Sequence, residues 1–128
     1  NVRFVFKEFP ILGPDSLAAS RAALAARAQN KDLYVPFHNA LMESRGVFSE
    51  NRIFDIAREI GLDADQLKRD MEAPEIEEII SRNYAQAEAL GIQGTPGFVI
   101  GDQVVPGYIN REQLTAFIDE ARTGCTTC

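Results

Sequence analysis

The chain has 128 residues and a mass of 14.2 kDa, which fits one compact domain. A net charge of −6 and a pI near 4.8 argue against electrostatic binding to nucleic acid or to an anionic membrane surface. Apolar residues make up 45% of the sequence, too many for a disordered chain, and no apolar run supports membrane insertion. Because His38 is the only histidine, a histidine-based metal cage within one chain is excluded, and we expect no metal and no cofactor.

Residues 2–9 are rich in valine and phenylalanine and predict a β-strand, which Pro10 ends. The alanines that follow predict a helix over residues 16–29, capped by Asp15 or Ser16 and ended by Asn30. Small side chains along this helix would let a neighbouring backbone approach closely.

A second helix is predicted over residues 33–44, capped by Asp32 and ended by Gly46. Pro36 is expected in its first turn, where a missing amide hydrogen costs little. The buried stripe of this helix consists of Tyr34, Phe37 and Leu41.

Three further helices are predicted up to residue 90. The first is bounded by Ser49 and Gly61, and the third by Pro74 and Gly91. The short second helix runs through Met71 and begins at Asp63, which with Gln66 resembles a capping box. The apolar faces of the first and third consist of Ile53, Ile56, Ala57, Ile60, Ile76, Ile79, Ile80, Ala87 and Leu90.

The pattern then changes to short strands. Residues 98–100 and 103–105 predict a hairpin with a tight turn at residues 101–102. A last helix, capped by Asn110 with Gln113 and ending near Gly124, is predicted to bury Leu114, Phe117, Ile118 and Ala121. The order of strand, five helices, hairpin and helix indicates a mixed α/β fold.

Two motifs in the second half could carry chemistry. Gly94-Thr95-Pro96 precedes a strand, where a cis proline would leave the backbone of Thr95 free to pair with an extended peptide. On local sequence alone an ordinary trans turn is favoured, because few X-Pro bonds are cis. Cys125-Thr-Thr-Cys128 has the spacing of a redox disulfide. It follows a helix C-terminus, where the dipole disfavours a thiolate, so a passive disulfide, half a metal site and a frayed tail are alternatives.

Near the N-terminus, Lys7 and Glu8 are adjacent in a predicted strand, so one of the two should point toward a covered face. A buried charge needs a partner and often marks a functional site, whereas a charge at a strand end stays in water. His38 has no second histidine and no cysteine near it in sequence, and we interpret it as a structural or half-exposed side chain.

Two stretches resemble the bacterial DsbA-like thiol:disulfide oxidoreductases. The first is Lys7-Glu8-Phe9-Pro10-Ile11-Leu12-Gly13-Pro14-Asp15-Ser16, followed by the alanine-rich helix and by Phe37-His38-x-Ala40-Leu41-Met42. The second is Gly91-Ile92-x-Gly94-Thr95-Pro96-Gly97-Phe98-Val99-Ile100-Gly101, with Pro106-Gly107 and the closing helix after it. The resemblance implies a single domain over residues 1–128, α/β in class. Its thioredoxin-like core would comprise residues 1–15 and 91–124, and residues 16–90 would be a helical insertion.

The resemblance also implies site residues. Pro96 is expected to be cis and, with Gly94 and Thr95, to bind substrate beside the redox cysteines. Lys7 or Glu8 would assist proton transfer there. Cys125 and Cys128 do not match the position of the family's Cys-x-x-Cys and would form a secondary redox pair.

The family's Cys-x-x-Cys follows a central strand, and this sequence contains neither. We therefore expect the domain to be N-terminally incomplete, with residues 2–6 and 98–100 facing an unfilled position in the sheet. Unpaired backbone groups there would be costly, so an upstream segment, a partner chain or a swapped strand would fill it.

The resemblance implies thiol:disulfide exchange on cysteines of exported proteins, in the periplasm, with a redox partner protein and with the redox pair upstream. Two alternatives stay open. The chain could be a redox-inactive module that binds extended peptides or acts as a chaperone, or it could work through Cys125 and Cys128.

Overall fold

A computed structural model describes residues 1–45 and 48–124 of the chain. The helices found there are α1 (Pro14–Gln29), α2 (Lys31–Glu43), α3 (Glu50–Ile60), α4 (Ala64–Asp70), α5 (Pro74–Ala89) and α6 (Arg111–Thr123). The strands are β1 (Gly97–Ile100) and β2 (Gln103–Pro106), which lie between α5 and α6 in the sequence. The chain divides into two compact units, Asn1–Asn83 and a second that begins at Tyr84, so α5 contributes to both.

The core of the first unit forms among α1, α2, α3, α4 and the beginning of α5. Its largest fully buried side chains are Phe37, Ile53, Ile56, Leu67 and Ile80. The alanines in the middle of α1 are also fully buried, and α1 packs against α2, α3 and α4. The alanine face of α1 is therefore the one that packs against the other helices.

One residue, Asn30, joins α1 to α2. Its backbone amide donates to Ala26 at the end of α1, and its side chain accepts a hydrogen bond of 3.0 Å from the amide of Asp32 at the start of α2. Asn30 therefore ends α1 as predicted. The prediction that Asp32 caps α2 was wrong, because Asn30 already occupies the capping position and Asp32 lies in the first turn.

The beginning of α1 also differs from the prediction. Pro14 is its first residue and Gly13 precedes it, so neither Asp15 nor Ser16 is the cap. Proline suits this position because its fixed φ is already helical and its missing amide hydrogen would have no helical partner. Gly13 has a φ of +91°, a conformation that residues with a side chain rarely adopt.

The early start of α2 places Pro36 inside the helix and not in its first turn. A proline at this position removes the amide that would donate one turn back, which is tolerated here within a helix that packs against α1 and α3. The helix ends at Ser44. Gly46, which was predicted to end it, lies outside the described residues.

The remaining helix ends follow the local sequence. Ser49 and Asp63 cap α3 and α4 by accepting from the amides three residues on, and Asn110 forms a capping box with Gln113 at the start of α6. Gly61 ends α3 in the left-handed conformation, and Pro74 begins α5. One apolar prediction in this region was wrong: Leu90 is exposed, and it lies one residue beyond the end of α5.

Residues 2–9 are not a strand, which corrects the prediction made from their composition. Val2, Phe4, Val5 and Phe6 are 43–63% exposed. A strand is defined by backbone hydrogen bonds to a neighbouring strand, and within residues 1–45 and 48–124 no strand pairs with this segment. The sheet found in those residues has two strands instead of the three predicted.

The second unit holds an antiparallel hairpin with α6 packed against β1. Phe98 pairs with Val105 and Val99 with Val104, and the turn lies at residues 101–102 as predicted. The strands extend one residue further at each outer end, to Gly97 and Pro106. On one face of the hairpin Phe98 and Val105 are half-buried, while Val99 and Val104 on the other face are exposed.

No residue of α6 is fully buried, in contrast to the prediction. Leu114, Phe117 and Ile118 are half-buried and Ala121 is exposed. Two short strands offer too little surface to cover a whole helix face. At Gly101 an added Cβ would lie 3.1 Å from the Cβ of Ala121 on α6, so only glycine fits this turn without a shift.

Candidate functional site

Glu8 is the centre of a polar cluster in the first unit. Its Oε1 accepts hydrogen bonds from the Tyr34 hydroxyl at 3.0 Å and from His38 Nδ1 at 3.2 Å. Its Oε2 accepts from the Ser20 hydroxyl at 3.3 Å. The Glu8 side chain is 12% exposed, whereas Lys7 beside it is exposed. Of the two adjacent charges, Glu8 is therefore the covered one.

Three helices position the groups around Glu8. Ser20 lies on α1, and Tyr34 and His38 lie one turn apart on α2, so their side chains share one face. Asn83 on α5 donates from Nδ2 to the backbone carbonyl of Glu8 at 2.8 Å. We call Glu8, Ser20, Tyr34, His38 and Asn83 the Glu8 cluster. It fixes one residue of the N-terminal segment to three helices.

The Glu8 cluster strongly favours the protonated form of Tyr34. Burial raises the pKa of Tyr34 above its ordinary value, and the negative charge of Glu8 and the hydrogen bond to it raise this pKa further. The positive charge of Arg27 acts in the opposite direction, with a smaller effect. Tyr34 is therefore a hydrogen-bond donor to Glu8 over the whole neutral range of pH.

His38 must also donate to Glu8. A carboxylate oxygen accepts hydrogen bonds, so Nδ1 of His38 is the donor in this contact. The ring of Phe6 lies beside that of His38, with centroids 4.9 Å apart and planes inclined by 47°. The His38 side chain is 20% exposed, which agrees with its interpretation as a half-exposed structural residue.

The second predicted site lies in the second unit. The Thr95–Pro96 peptide bond is cis, as the family resemblance implied. Gly94, Thr95 and Pro96 are all exposed and lead directly into β1. The carbonyl of Pro96 accepts a hydrogen bond of 2.9 Å from the amide of Gly107. This bond ties the loop before β1 to the residue that follows β2. The role of these three residues in substrate binding remains a prediction.

The remaining sequence features concern the terminal cysteines, metal binding and membrane insertion. Cys125 and Cys128 lie outside the described residues, so a secondary redox pair remains a prediction. Across residues 1–45 and 48–124, no three side chains of metal-binding type are grouped to share an ion. Within the same ranges, no helix combines the length and the apolar character needed to cross a bilayer.

Sequence reasoning identified Glu8 as a candidate but missed most of its partners. Tyr34 was assigned only to the buried stripe of α2, and Ser20 and Asn83 were not singled out. The spacing of Tyr34 and His38, four residues apart on one helix, was the available signal that both could face one acidic group. No comparable signal links Ser20 or Asn83 to Glu8.

Comparison with known proteins identifies the family of this chain. The DSBA-like thioredoxin domain family matches residues 1–119, and the chain belongs to it. The fold is accordingly of the thioredoxin-like DsbA type with a helical insertion, which confirms the predicted fold class. Five helices, from Pro14 to Ala89, form the stretch that was predicted to be the insertion.

Individual relatives agree with this assignment. A thioredoxin-like oxidoreductase from Silicibacter pomeroyi DSS-3 is 50% identical, with a TM-score of 0.88 over 94% of this chain and 69% of its own. The probable disulfide bond formation protein D of Bacillus cereus is 27% identical over 116 residues, which cover 84% of this chain and 54% of that protein.

A third relative is the Na(+)/H(+) antiporter NhaA of Herminiimonas arsenicoxydans, 26% identical over 127 residues. The match covers 99% of this chain and 20% of the antiporter. Most of the antiporter therefore lies outside the shared region, and the similarity carries no inference about ion transport. This chain spans between a fifth and about half of the two curated relatives named here.

Proposed function

We propose that this chain is the larger part of a thiol:disulfide oxidoreductase that acts on cysteines of exported proteins. The observation that carries the proposal is the family match over residues 1–119, to a family of DSBA-like thioredoxin domains. The name of the Bacillus cereus relative, a probable disulfide bond formation protein, supports the same reaction class. Disulfides persist in oxidising compartments, so we propose a periplasmic location.

The redox cysteines of this enzyme would lie N-terminal to residue 1. Residues 1–124 contain no cysteine, and the relatives are longer than this chain. A strand from that upstream segment, or from a partner chain, would pair with residues 2–6. Further parts of that segment, packed on the faces of the sheet, would cover apolar side chains such as Phe4 and Val5, which are 63% exposed in the structure of this chain. Burial of such surface is favourable by about 25 cal/mol per Å².

The reaction would proceed through a mixed disulfide. The thiolate of the first redox cysteine attacks one sulfur of a substrate disulfide, which forms a new S–S bond and releases the other substrate sulfur as a thiolate. The second redox cysteine then attacks the mixed disulfide, which leaves the substrate reduced and the enzyme pair oxidised. The reverse sequence oxidises a substrate dithiol. A redox partner protein supplies or removes the two electrons of each cycle.

Thr95 is the residue of this chain that we assign to substrate binding, with Gly94 and Pro96 on either side. All three residues are exposed, and they immediately precede the first residue of β1. An extended peptide could pair with the backbone of Thr95 as an added strand does. Glu8 and Lys7 would have at most an assisting role in proton transfer.

The intact mass of the full-length gene product is the first test. It is measured after reduction, with and without a thiol-alkylating reagent. Four alkylated cysteines in a protein heavier than 14.2 kDa would support an upstream redox pair. Two alkylated cysteines in a protein of 14.2 kDa would overturn it and would favour a peptide-binding module or the terminal pair.

Turnover then separates the two cysteine pairs. Reduction of a protein disulfide by dithiothreitol is followed with the full-length protein and with a Cys125→Ser/Cys128→Ser variant. Unchanged turnover in this variant assigns the reaction to the upstream pair. Loss of turnover assigns it to Cys125 and Cys128. A Thr95→Ala variant should raise KM for the protein substrate, and a Thr115→Ala variant on α6 is the matched control at an exposed position.

A further inference from the structure

Tyr108 is the most exposed large apolar side chain of the described residues, at 83%. It lies in the second unit, between the end of β2 and the start of α6. Its ring therefore contributes little apolar burial to the part of the fold that the structure describes. Because single exposed apolar side chains are common on protein surfaces, the position of Tyr108, and not its exposure, decides whether it has a role.

The pairing of the hairpin brings Tyr108 close to Thr95. The ladder between β1 and β2 runs to the outer ends of both strands. One step beyond those ends, the amide of Gly107 donates to the carbonyl of Pro96 at 2.9 Å, so the two chains remain side by side there. The next residue outward is Thr95 on one chain and Tyr108 on the other. Neighbouring chains in a sheet lie about 4.8 Å apart, a distance that a tyrosine side chain can span.

The backbone on both sides of Tyr108 is fixed. Gly107, just before it, has a φ of +81°, and among the described atoms none lies within 4 Å of an added Cβ. The direction of the chain, and not a lack of space, therefore favours glycine there. Two residues after Tyr108, Asn110 begins α6 with a capping box. Tyr108 thus lies between two ordered points, which lowers the entropy lost when it binds a ligand.

We propose that Tyr108 is a specificity-determining residue, which selects substrates that carry an aromatic or large apolar side chain near the reacting cysteine. The inference rests on the proposed function, in which an extended peptide pairs with the backbone of Thr95. Among the described residues β1 pairs only with β2, so the peptide would lie on the open side of β1. Tyr108 follows β2, on the opposite side, and its ring would meet a side chain of the peptide across Thr95.

The chemistry of a tyrosine ring fits this role. Two aromatic side chains in contact attract each other beyond the burial of their apolar area, and tyrosine offers a large contact surface with few rotatable bonds. The disulfide exchange takes place between sulfur atoms, so the ring has no part in bond making or breaking. The effect of Tyr108 should therefore appear in the peptide concentration that half-saturates the enzyme, and not in the limiting rate.

The test uses the reduced full-length protein with Cys125→Ser and Cys128→Ser, so that only upstream cysteines react. Each substrate is a short peptide whose single cysteine forms a disulfide with thionitrobenzoate. The enzyme thiolate attacks the peptide sulfur, a new S–S bond joins enzyme and peptide, and coloured thionitrobenzoate leaves with the electron pair of the broken bond. Phenylalanine, and serine in matched peptides, occupies in turn each of the two positions before and the two positions after the cysteine.

The protein with Tyr108 should prefer phenylalanine to serine by about tenfold at one or more of these positions, and Tyr108→Ala should reduce this preference about fivefold. The change should come from the half-saturating concentration, with an unchanged melting temperature. Tyr108→Phe keeps the ring and should keep the preference. Met42→Ala shortens another apolar side chain, which is 70% exposed and lies in the first unit, and should leave the preference unchanged.

Three results would overturn the inference. The first is equal reactivity of the phenylalanine and serine peptides, and the second is a preference that Tyr108→Ala leaves unchanged. The third is an equal loss for all peptides together with a lower melting temperature, which would assign Tyr108 to packing against the upstream segment. If the protein with Tyr108 reacted with none of the peptides, the proposed thiol chemistry itself would be wrong, and this inference would be overturned with it.

Discussion

The hydroxyl of Tyr34 lies 3.0 Å from Oε1 of Glu8 and donates a hydrogen bond to it, across 26 positions of the sequence. Tyr34 belongs to the apolar face of α2, yet its ring ends at a carboxylate that is only 12% exposed. Burial of this carboxylate depends on its donors, because an ionised group without hydrogen bonds is costly away from water. The first prediction follows from this pair.

A Tyr34→Phe variant should lower the free energy of unfolding by about 1–3 kcal/mol, because it removes a hydrogen bond to a charged group and leaves Glu8 with one donor fewer. The ring itself is retained, so the apolar packing changes little. Denaturant unfolding followed by circular dichroism measures the difference. Tyr108→Phe is the matched control, since Tyr108 is 83% exposed, and equal losses in the two variants would contradict the prediction.

Alkaline pH should lower the free energy of unfolding through the ionisation of Tyr34. Burial and the charge of Glu8 raise the pKa of Tyr34 in the folded protein above its ordinary value of 10.0. Below pH 10 both the folded and the unfolded state keep this proton, so the contribution of Tyr34 is fully present. Above pH 10 the unfolded chain loses the Tyr34 proton at a lower pH than the folded protein does, so the free energy of unfolding falls as pH rises.

The measurement compares the free energy of unfolding at pH 8 and pH 11. The wild type should lose more than the Tyr34→Phe variant over this interval, because the variant has no hydroxyl to titrate. All other groups are the same in the two proteins, so their contributions cancel in the comparison. A Tyr34→Phe variant that loses as much as the wild type would show that Tyr34 ionises as easily in the folded state as in the unfolded chain.

Phe37 should be the most sensitive position of α2. Its side chain is fully buried in the core of the first unit, so Phe37→Ala leaves a cavity and should lower the free energy of unfolding by about 3–5 kcal/mol. Val35 lies two residues away in the same helix and is 42% exposed. A Val35→Ala variant should change stability by less than about 0.5 kcal/mol, and a loss as large as that of Phe37→Ala would argue against the assigned core.

Gln29 connects the end of α1 to the start of α4. Its Nε2 donates to the carbonyl of Asp63 at 3.1 Å, and its Oε1 accepts from the amide of Asp63 at 2.8 Å. Both backbone groups of the α4 cap are thus paired with one side chain. Gln29→Ala should lower the melting temperature through the loss of two hydrogen bonds, about 1–2 kcal/mol in total for a solvent-facing pair.

The control for Gln29→Ala is Gln86→Ala, an exposed glutamine within α5. This second variant should leave the melting temperature nearly unchanged, because alanine is a strong helix former. If the two variants had the same melting temperature, the paired hydrogen bonds to Asp63 would contribute nothing measurable to stability.

Features that depend on neighbouring positions in the sequence were predicted well. The caps at Ser49, Asp63 and Asn110 use side chains that bond to the backbone three residues later, so the pattern is present in a window of four residues. Asn30 and Asp32 are both capping residue types, and the local pattern did not decide between them.

Features that depend on distant residues were predicted poorly. A strand over residues 2–9 requires a partner strand, and composition alone gives no information on whether one is present. The Glu8 cluster joins residues separated by 12, 26, 30 and 75 positions, so no periodicity connects them. Family resemblance supplied the cis bond before Pro96, for which local sequence favoured a trans turn.

The single residue between α1 and α2 has a consequence for how this family can vary. Asn30 supplies both the last hydrogen bond of one helix and the first side-chain cap of the next, so no spare loop residue exists at this corner. An inserted or deleted residue would rotate α2 about its axis by roughly 100° relative to α1, given 3.6 residues per turn. Tyr34 and His38 would then leave the face that meets Glu8. Length changes between relatives should therefore be rare at this corner.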